Sequence, residues 1–347
     1  MAATRELVIV ADRDFADRHD VWRCLDAELG LELWSVTYPA EGQLDYGNSP
    51  RATPLIHGDY VYLQGAFGHL HCVELASGEI VWQRDLLADF EAELPIWGLC
   101  GSPLIAGGDL IVNPGGPAAF LAALDPGTGE IGWSTPGRIA AYASFIEATL
   151  GGQRQLVGYD KVSLGGWDVE TGRRLWELKP AIPGDFNVPT PVVIGKDLVI
   201  TTENNGTRLY GFNEDGTIVP EPKGRFDRLA ADSSTAVVVN DRVFGVWNDL
   251  YCLAPDEELE LLWRGRDRRF RDYASLIAAP GRVLITTTSG ELILVDSESD
   301  AYNVVGSMQV VSDDAEVHSH PALAGTRLYV RSASSIICVN LEGEASR

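Results

Sequence analysis

Apolar residues in this chain alternate with polar ones or run in short blocks such as LVIV, YVYL and DLIV, and no stretch holds a helical period. Gly, Pro, Asp and Asn bound the blocks, which predicts short strands joined by tight turns. The pattern also repeats. The segments CLDAELGLELW, VELASGEIVW, LDPGTGEIGW and WDVETGRRLW close on Trp34, Trp82, Trp133 and Trp176, and Trp263 closes another copy. Pro220 and Gly306 take similar places in two degenerate copies, so that successive gaps are 48, 51, 43, 44, 43 and 43 residues. Self-similarity at that period means a repeat architecture.

Each unit opens on a small-residue or proline lead-in, as in ATPLIHGDYVYL, GSPLIAGGDLIVN and PTPVVIGKDLVI, and continues through two β-rich runs to the turn and the tryptophan strand. Four short strands per unit of about 43 residues fit one propeller blade. The fold class is therefore all-β, a β-propeller of four-stranded antiparallel blades, and residues 1–347 are expected to form a single domain. The turn positions Asp26, Glu74, Asp125, Asp168, Asn213, Ala254, Asp296 and Asn340 count eight blades, with seven as the alternative. The first unit shows no inner strand and the last no outer one. The ring is thus expected to close imperfectly or to fuse its two ends into a composite blade.

The turn residues have mechanical roles. The acid accepts backbone N–H bonds, and Gly30, Gly78, Gly129 and Gly172 supply the positive φ that the turn needs. The tryptophan is expected to lie flat between neighbouring blades and to place its indole N–H on a nearby carbonyl.

The segments AALDPGTGEIGW (Ala122 to Trp133) and GGWDVETGRRLW (Gly165 to Trp176) resemble the blade motif of the pyrroloquinoline-quinone-like (PQQ-like) repeat propellers, and the likeness runs from Val21 to Leu341. It is similar to the branch that holds an outer-membrane assembly propeller and many bacterial propellers. That resemblance implies a binding scaffold in an extracytoplasmic or periplasmic setting. It also implies an alternative, since quinoprotein dehydrogenases of this fold use an adjacent cysteine pair, a tryptophan floor and calcium held by Glu, Asn and Asp. Here Cys24, Cys72, Cys100, Cys252 and Cys338 are never adjacent, so neither PQQ nor calcium is expected as a cofactor.

Charge narrows the partners. Lys and Arg number 27 against 50 Asp and Glu, a net charge of −23, and such a field repels phosphate backbones and anionic lipid heads. Nucleic acid is not an expected partner. The local run RGRDRRFRD, from Arg264, reads as a solvated loop. No apolar run reaches the roughly 18 residues that span a bilayer. The start, MAATRELVIVADRDF, shows no apolar leader region, and an odd number of unpaired cysteines leaves a cytoplasmic setting open.

Candidate chemistry is sparse. Cys24, Cys72, Cys252 and Cys338 share one repeat position, filled elsewhere by Ala123, Gly166 and Gly211 and by the larger Leu294, which predicts buried thiols at a crowded point. Cys100 stands outside the pattern, with no base beside it. The pairs His69 and His71, and His318 and His320, each put two imidazoles on one strand face, but no further ligand follows at a metal spacing. No nucleophile elbow, metalloprotease helix or phosphate loop occurs, and the Asn-Asn-Gly of TTENNGTRLYGF reads as a hairpin turn.

The loops that enter the inner strands carry the remaining signal, because they ring one mouth of a propeller channel. Their candidate ligand-binding residues are Tyr46, Asn48, Arg51, Trp97, Tyr142, Asn187, Asp232, Tyr273, His318 and His320. Converged, these π faces, amides, carboxylate and guanidinium make a site for a protein, a peptide or a small ligand. The expected function is a non-enzymatic binding or scaffold propeller. The alternative, a quinone-dependent oxidoreductase, needs Asp232 and Asn187 as metal ligands, Arg51 near the quinone oxygens and Trp97 as a stacking surface.

Overall fold

The computed structural model describes residues 1–255, 258–311 and 316–342, and numbers its strands β1 to β31 in chain order. They form eight antiparallel meanders, seven of four strands and one of three, which are the blades of an eight-bladed propeller. Innermost strands of adjacent blades lie side by side, as β17 (Val192–Ile194) does with β21 (Val237–Val239) and β21 with β25 (Ala274–Ala279). The ring closes where β1 (Ala2–Ala3) meets β29 (Ala322–Ala324).

Closure differs from the sequence expectation. Blade 1 does have an inner strand: β1 pairs Ala2 with Ile9 and Ala3 with Val8. Two residues are too short to read as a strand in sequence. Among the described residues the two ends of the chain lie in separate sheets. Blade 8 consists of β29, β30 (Arg327–Arg331) and β31 (Ile336–Asn340), and the joint with blade 1 is made by packing, with Val8, Val10, Ala27 and Tyr329 in one buried cluster.

Between blades, the repeated turn works as a socket for the preceding blade's tryptophan. The Trp34 indole donates to Leu75 O at 2.9 Å, Trp82 to Pro126 O at 3.0 Å and Trp263 to Ser299 O at 3.0 Å, each time onto the next blade. Trp176 reaches its neighbour by relay, donating to Gln155 Oε1 at 2.6 Å while Gln155 Nε2 donates to Gly216 O at 3.0 Å. The glycine serves twice. Gly78 and Gly129 have φ of 78° and 71°, and a Cβ at either would stand 2.7 Å from the ring of Trp34 or Trp82. Trp133 presses on Gly172 in the same way, although its N–H finds no partner among the described residues.

Two degenerate copies resolve differently. Gly306 does sit opposite Leu294, in the tryptophan's place. In blade 5 the side chain that lies over Gly211 is Lys223 rather than Pro220, and it is anchored to Asp197 at 2.9 Å. Of the repeated cysteines, Cys24, Cys72 and Cys252 are fully buried as expected. Cys338 is exposed, because no described outer strand covers β31.

The first histidine pair belongs to this packing. His71 is buried and stacks on Tyr38 at 4.2 Å between ring centres, and His69 tilts against the same ring at 5.3 Å. Beneath them Asp20, wholly buried, holds Arg13 at 2.7 Å. No set of three His, Cys, Asp or Glu side chains is placed to hold a metal among the described residues.

Two outcomes follow from this packing. Gly129→Ala combines backbone strain with a clash on Trp82 and is expected to cost about 2–3 kcal/mol, whereas Gly108→Ala, at φ 96° with open space above it, costs about 1 kcal/mol. Equal losses in urea unfolding would show that the ring contact is immaterial. Burial, with repulsion from His69 second, lowers His71 from 6.5 to about 4. The unfolded chain therefore takes the proton first, and this contribution to stability is whole above pH 6.5 and lost as pH falls toward about 4. His71→Phe keeps the stack on Tyr38 and is expected to flatten the decline of Tm over that window; parallel curves for the two proteins would refute the assignment.

Candidate functional site

In a meander that starts at the channel, the loop entering the first strand and the hairpin between the second and third share one face. Two bonds confirm this. Asn48 Nδ2, before β5 (Leu55–His57), donates to Asp17 Oδ2 of the hairpin joining β2 (Leu7–Arg13) and β3 (His19–Asp26), at 2.6 Å. Phe186 N, before β17, donates at 2.5 Å to Glu203 Oε1 in the hairpin between β18 (Asp197–Thr202) and β19 (Gly206–Tyr210).

On that face the lead-in loops of blades 2 to 5 bring four aromatic rings together. Trp97 is central, 4.6 Å from Tyr142, 4.8 Å from Phe186 and 6.0 Å edge-on from Tyr46. Tyr46 is 88% exposed and Phe186 49%. Trp97 and Tyr142 are half-buried beneath them. Such a cluster offers wide amphipathic area at small cost in rotamer entropy.

The other residues singled out from the sequence divide. Asn48 and Arg51 brace their own loop. Asn48 Oδ1 accepts from Leu44 N at 2.9 Å, and Arg51 Nη2 donates to Asp45 O and Gly47 O at 2.7 and 2.8 Å. Asn187 is buried; its carbonyl accepts from Ala143 N at 2.9 Å and its amide donates to Asp160 O at 3.5 Å, which ties blade 5 to blade 4. Asp232 and Tyr273 form a second locus on blades 6 and 7, where the Asp232 charge is the main influence raising the Tyr273 hydroxyl and Tyr46 adds to it. His318 and His320 are exposed on blade 8, with His318 held to Glu316 at 2.8 Å.

Two members of the site carried no signal that the sequence reading used. Phe186 directly precedes Asn187 and, as a lone apolar residue in a loop, carries neither a polar nor a repeat signal. Glu203 was absorbed into a hairpin turn. Its pKa is raised, first by burial and then by Asp185 and Asp232, and its Oε2 is buried without a partner among the described residues. The Asn-Asn-Gly turn beside it fixes Asp185 through Asn204 N at 2.9 Å and Asn205 Nδ2 at 2.6 Å. A cleft of about 180 Å³ opens between blades 4 and 5, lined by Tyr159, Asp185, Asn187 and Asn205.

These groups suit recognition. Aromatic faces beside partly desolvated carboxylates hold cations and the side chains of basic residues. Cys100 lies under the cluster with its thiol pushed up to about 11 by burial, so it is protonated at neutral pH. Two arginines of the basic run from Arg264 are paired: Arg264 with Asp249, and Arg269 with Asp267 and Glu291 at 2.6 and 2.7 Å. A calcium-held quinone does not fit. Asn187 and Arg51 are committed to backbone groups, Asp232 accepts from Ser233 at 2.8 Å, and no ligand cluster surrounds them among the described residues.

A family model described as outer membrane protein assembly factor BamB matches residues 17–259. The outer membrane protein assembly factor BamB of Shewanella oneidensis is 25% identical over 288 residues, which cover 78% of this chain and 67% of that protein. BamB from Moraxella catarrhalis superposes with a TM-score of 0.65 at 15% identity, over 97% of this chain and 92% of its own. The quinohemoprotein alcohol dehydrogenase ADHIIG of Pseudomonas putida HK5 gives 0.64 at 12% identity, over 95% and 70%. These two structural likenesses speak for the fold alone. The family match extends over most of the chain, and its blades carry the same turn and tryptophan: the chain belongs to the BamB family of PQQ-like repeat β-propellers.

Proposed function

We propose that this chain is a non-enzymatic, protein-binding propeller that holds a segment of its partner on the face carrying Trp97, Tyr142, Phe186 and Tyr46. The observation that carries the reading is the convergence of these four rings from four consecutive blades, two of them broadly exposed. Glu203, Asp185 and Asp232 beside them select for lysine or arginine in the bound segment. The relative named as an outer membrane protein assembly factor supports a role in assembling other proteins and an extracytoplasmic setting. On this reading residues 1–347 are one domain that works as a rigid platform without a cofactor.

A photo-crosslinking residue at Tyr46 or Phe186 is expected to give a discrete protein adduct in the cell. The same residue at Leu29, exposed on a turn of the opposite face, is not. Trp97→Ala removes the centre of the cluster, and its expected loss of about 2 kcal/mol lowers affinity roughly thirty-fold. Adducts from Leu29 alone, or adducts untouched by Trp97→Ala, would sink the reading. Glu203→Gln is expected to weaken a basic segment and to leave a neutral one unchanged; equal effects on both would remove the carboxylate's role.

A further inference from the structure

The cleft of about 180 Å³ between blades 4 and 5 holds two features that packing does not explain. The first is a phenol. Tyr159, which lines the cleft, stands two residues past Val157, and Val157 lies opposite Gly166 in the repeated cysteine position. At the same place blades 1, 2, 6 and 7 carry Ala11, Gln64, Val246 and Thr286. Of these five blades, blade 4 alone puts an aromatic ring there. The Tyr159 hydroxyl is buried without a partner among the described residues, and a dry, unpaired hydroxyl costs stability until an acceptor completes it.

The second feature is a pair of like charges. Arg208 of β19 lies directly opposite Arg225 of β20 (Gly224–Phe226), both lining the cleft, and like charges set across from each other destabilise a sheet. Each has a carboxylate beside it, Asp227 at 2.8 Å and Glu221 at 2.5 Å, but those side chains are 81% and 80% exposed, so the pairs offset little of the repulsion. Lys179, directly after β16 (Arg174–Leu178) of blade 4, lines the same cleft and has no partner among the described residues. Three cations thus line one cleft of a chain whose net charge is −23. Tyr210 joins the two features. Burial raises both phenols; after burial, the charges that reach Tyr159 are those of Asp185, Tyr210 and Glu203, and those that reach Tyr210 are Arg208, Arg225 and Glu221.

We propose that this cleft binds a small one-ring organic acid, with its carboxylate on Arg208, Arg225 and Lys179 and an oxygen at the far end of its ring accepting from the Tyr159 hydroxyl. Neighbouring guanidiniums favour a planar carboxylate. Leu164, Leu178 and Ile200 line the cleft too and suit an apolar body. Its volume suits a single ring, since an apolar cavity of roughly 150 Å³ takes benzene. An ammonium in place of the far oxygen would leave the Tyr159 proton unmet, because it has no acceptor. This site is separate from the aromatic face and does not depend on a protein being held there.

The probes are para-hydroxybenzoate, benzoate, which lacks the far oxygen, and para-hydroxybenzamide, which lacks the charge, each titrated calorimetrically into the full chain. Para-hydroxybenzoate is expected to bind one-to-one and about five-fold more tightly than benzoate. Tyr159→Phe should erase that difference and leave the Tm of the free chain unchanged or higher, because the hydroxyl it removes is unpaired. Arg225→Gln should weaken both acids about ten-fold and the amide hardly at all. Lys179→Gln, at an exposed side chain with no partner to lose, should repeat that pattern more weakly without touching the fold. No saturable heat from para-hydroxybenzoate overturns the proposal. So does a preference for the hydroxyl that survives Tyr159→Phe, a Tm lowered by that change, or an equal loss of amide and acid binding in Arg225→Gln. Sulfate that displaces para-hydroxybenzoate as well as benzoate does would mark a bare anion site and overturn it too.

Discussion

The structure depends on one contact made again and again, an indole laid over a glycine of the next blade. A four-stranded sheet cannot bury both faces by itself, so each blade is stable only against its neighbours. The indole makes that dependence specific. For Trp34 and Trp82 the ring lies over a residue without a Cβ, and the N–H finds a carbonyl one place after the turn acid, Leu75 or Pro126. Because the acid also fixes the turn, with Asp125 accepting from Gly127 N and Thr128 N at 2.9 and 2.8 Å, one short motif both ends a blade and receives its neighbour. The repeat length then follows from the distance between successive sockets.

That division of labour shapes the two faces. On the turn side, residue choice is tightly held by packing, and little freedom is left for function. The lead-in loops on the other face hold no indole socket, and there Tyr46, Trp97, Tyr142 and Phe186 meet. Irregularities in the ring sit where the motif lapses, at Lys223 in blade 5, at Gly306 in blade 7 and at β31 of blade 8, which has no outer neighbour among the described residues.

Periodic features were legible in sequence and solitary ones were not. The eight blades, the buried cysteine position and the tryptophan's place between blades follow from residues that recur at one spacing. Blade 8 departs at Cys338 because burial there belongs to a neighbouring strand and not to the residue itself. At the mouth, Tyr46, Trp97 and Tyr142 meet because large rings in loops must find each other or water, while Tyr273 lies apart beside Asp232. Of the polar ones, Arg51, Asn48 and Asn187 bond backbone carbonyls and amides in their own surroundings, which spacing does not reveal. His71 looked like half a metal site because alternate residues share a strand face, but that face is the wall between blades 1 and 2, where Tyr38 waits. Glu203 was hidden in a turn motif whose sequence explains the backbone and says nothing of where the next acid lies.

Charge distribution carries the argument for recognition one step further. Acid–base catalysis needs two groups with opposed proton affinities and free reactive atoms within reach of one substrate. At this mouth Asp185 accepts from Asn204 and Asn205, the Cys100 thiol is held protonated by burial, and the Glu203 pKa is raised by burial and then by two like charges. A cation arriving there relieves that repulsion and so favours the charged carboxylate, and the net −23 of the whole chain draws such ligands in from a distance. On the proposed reading, long-range attraction brings a basic segment to the face, relief of the carboxylate repulsion holds its charge, and the four rings hold its apolar stem.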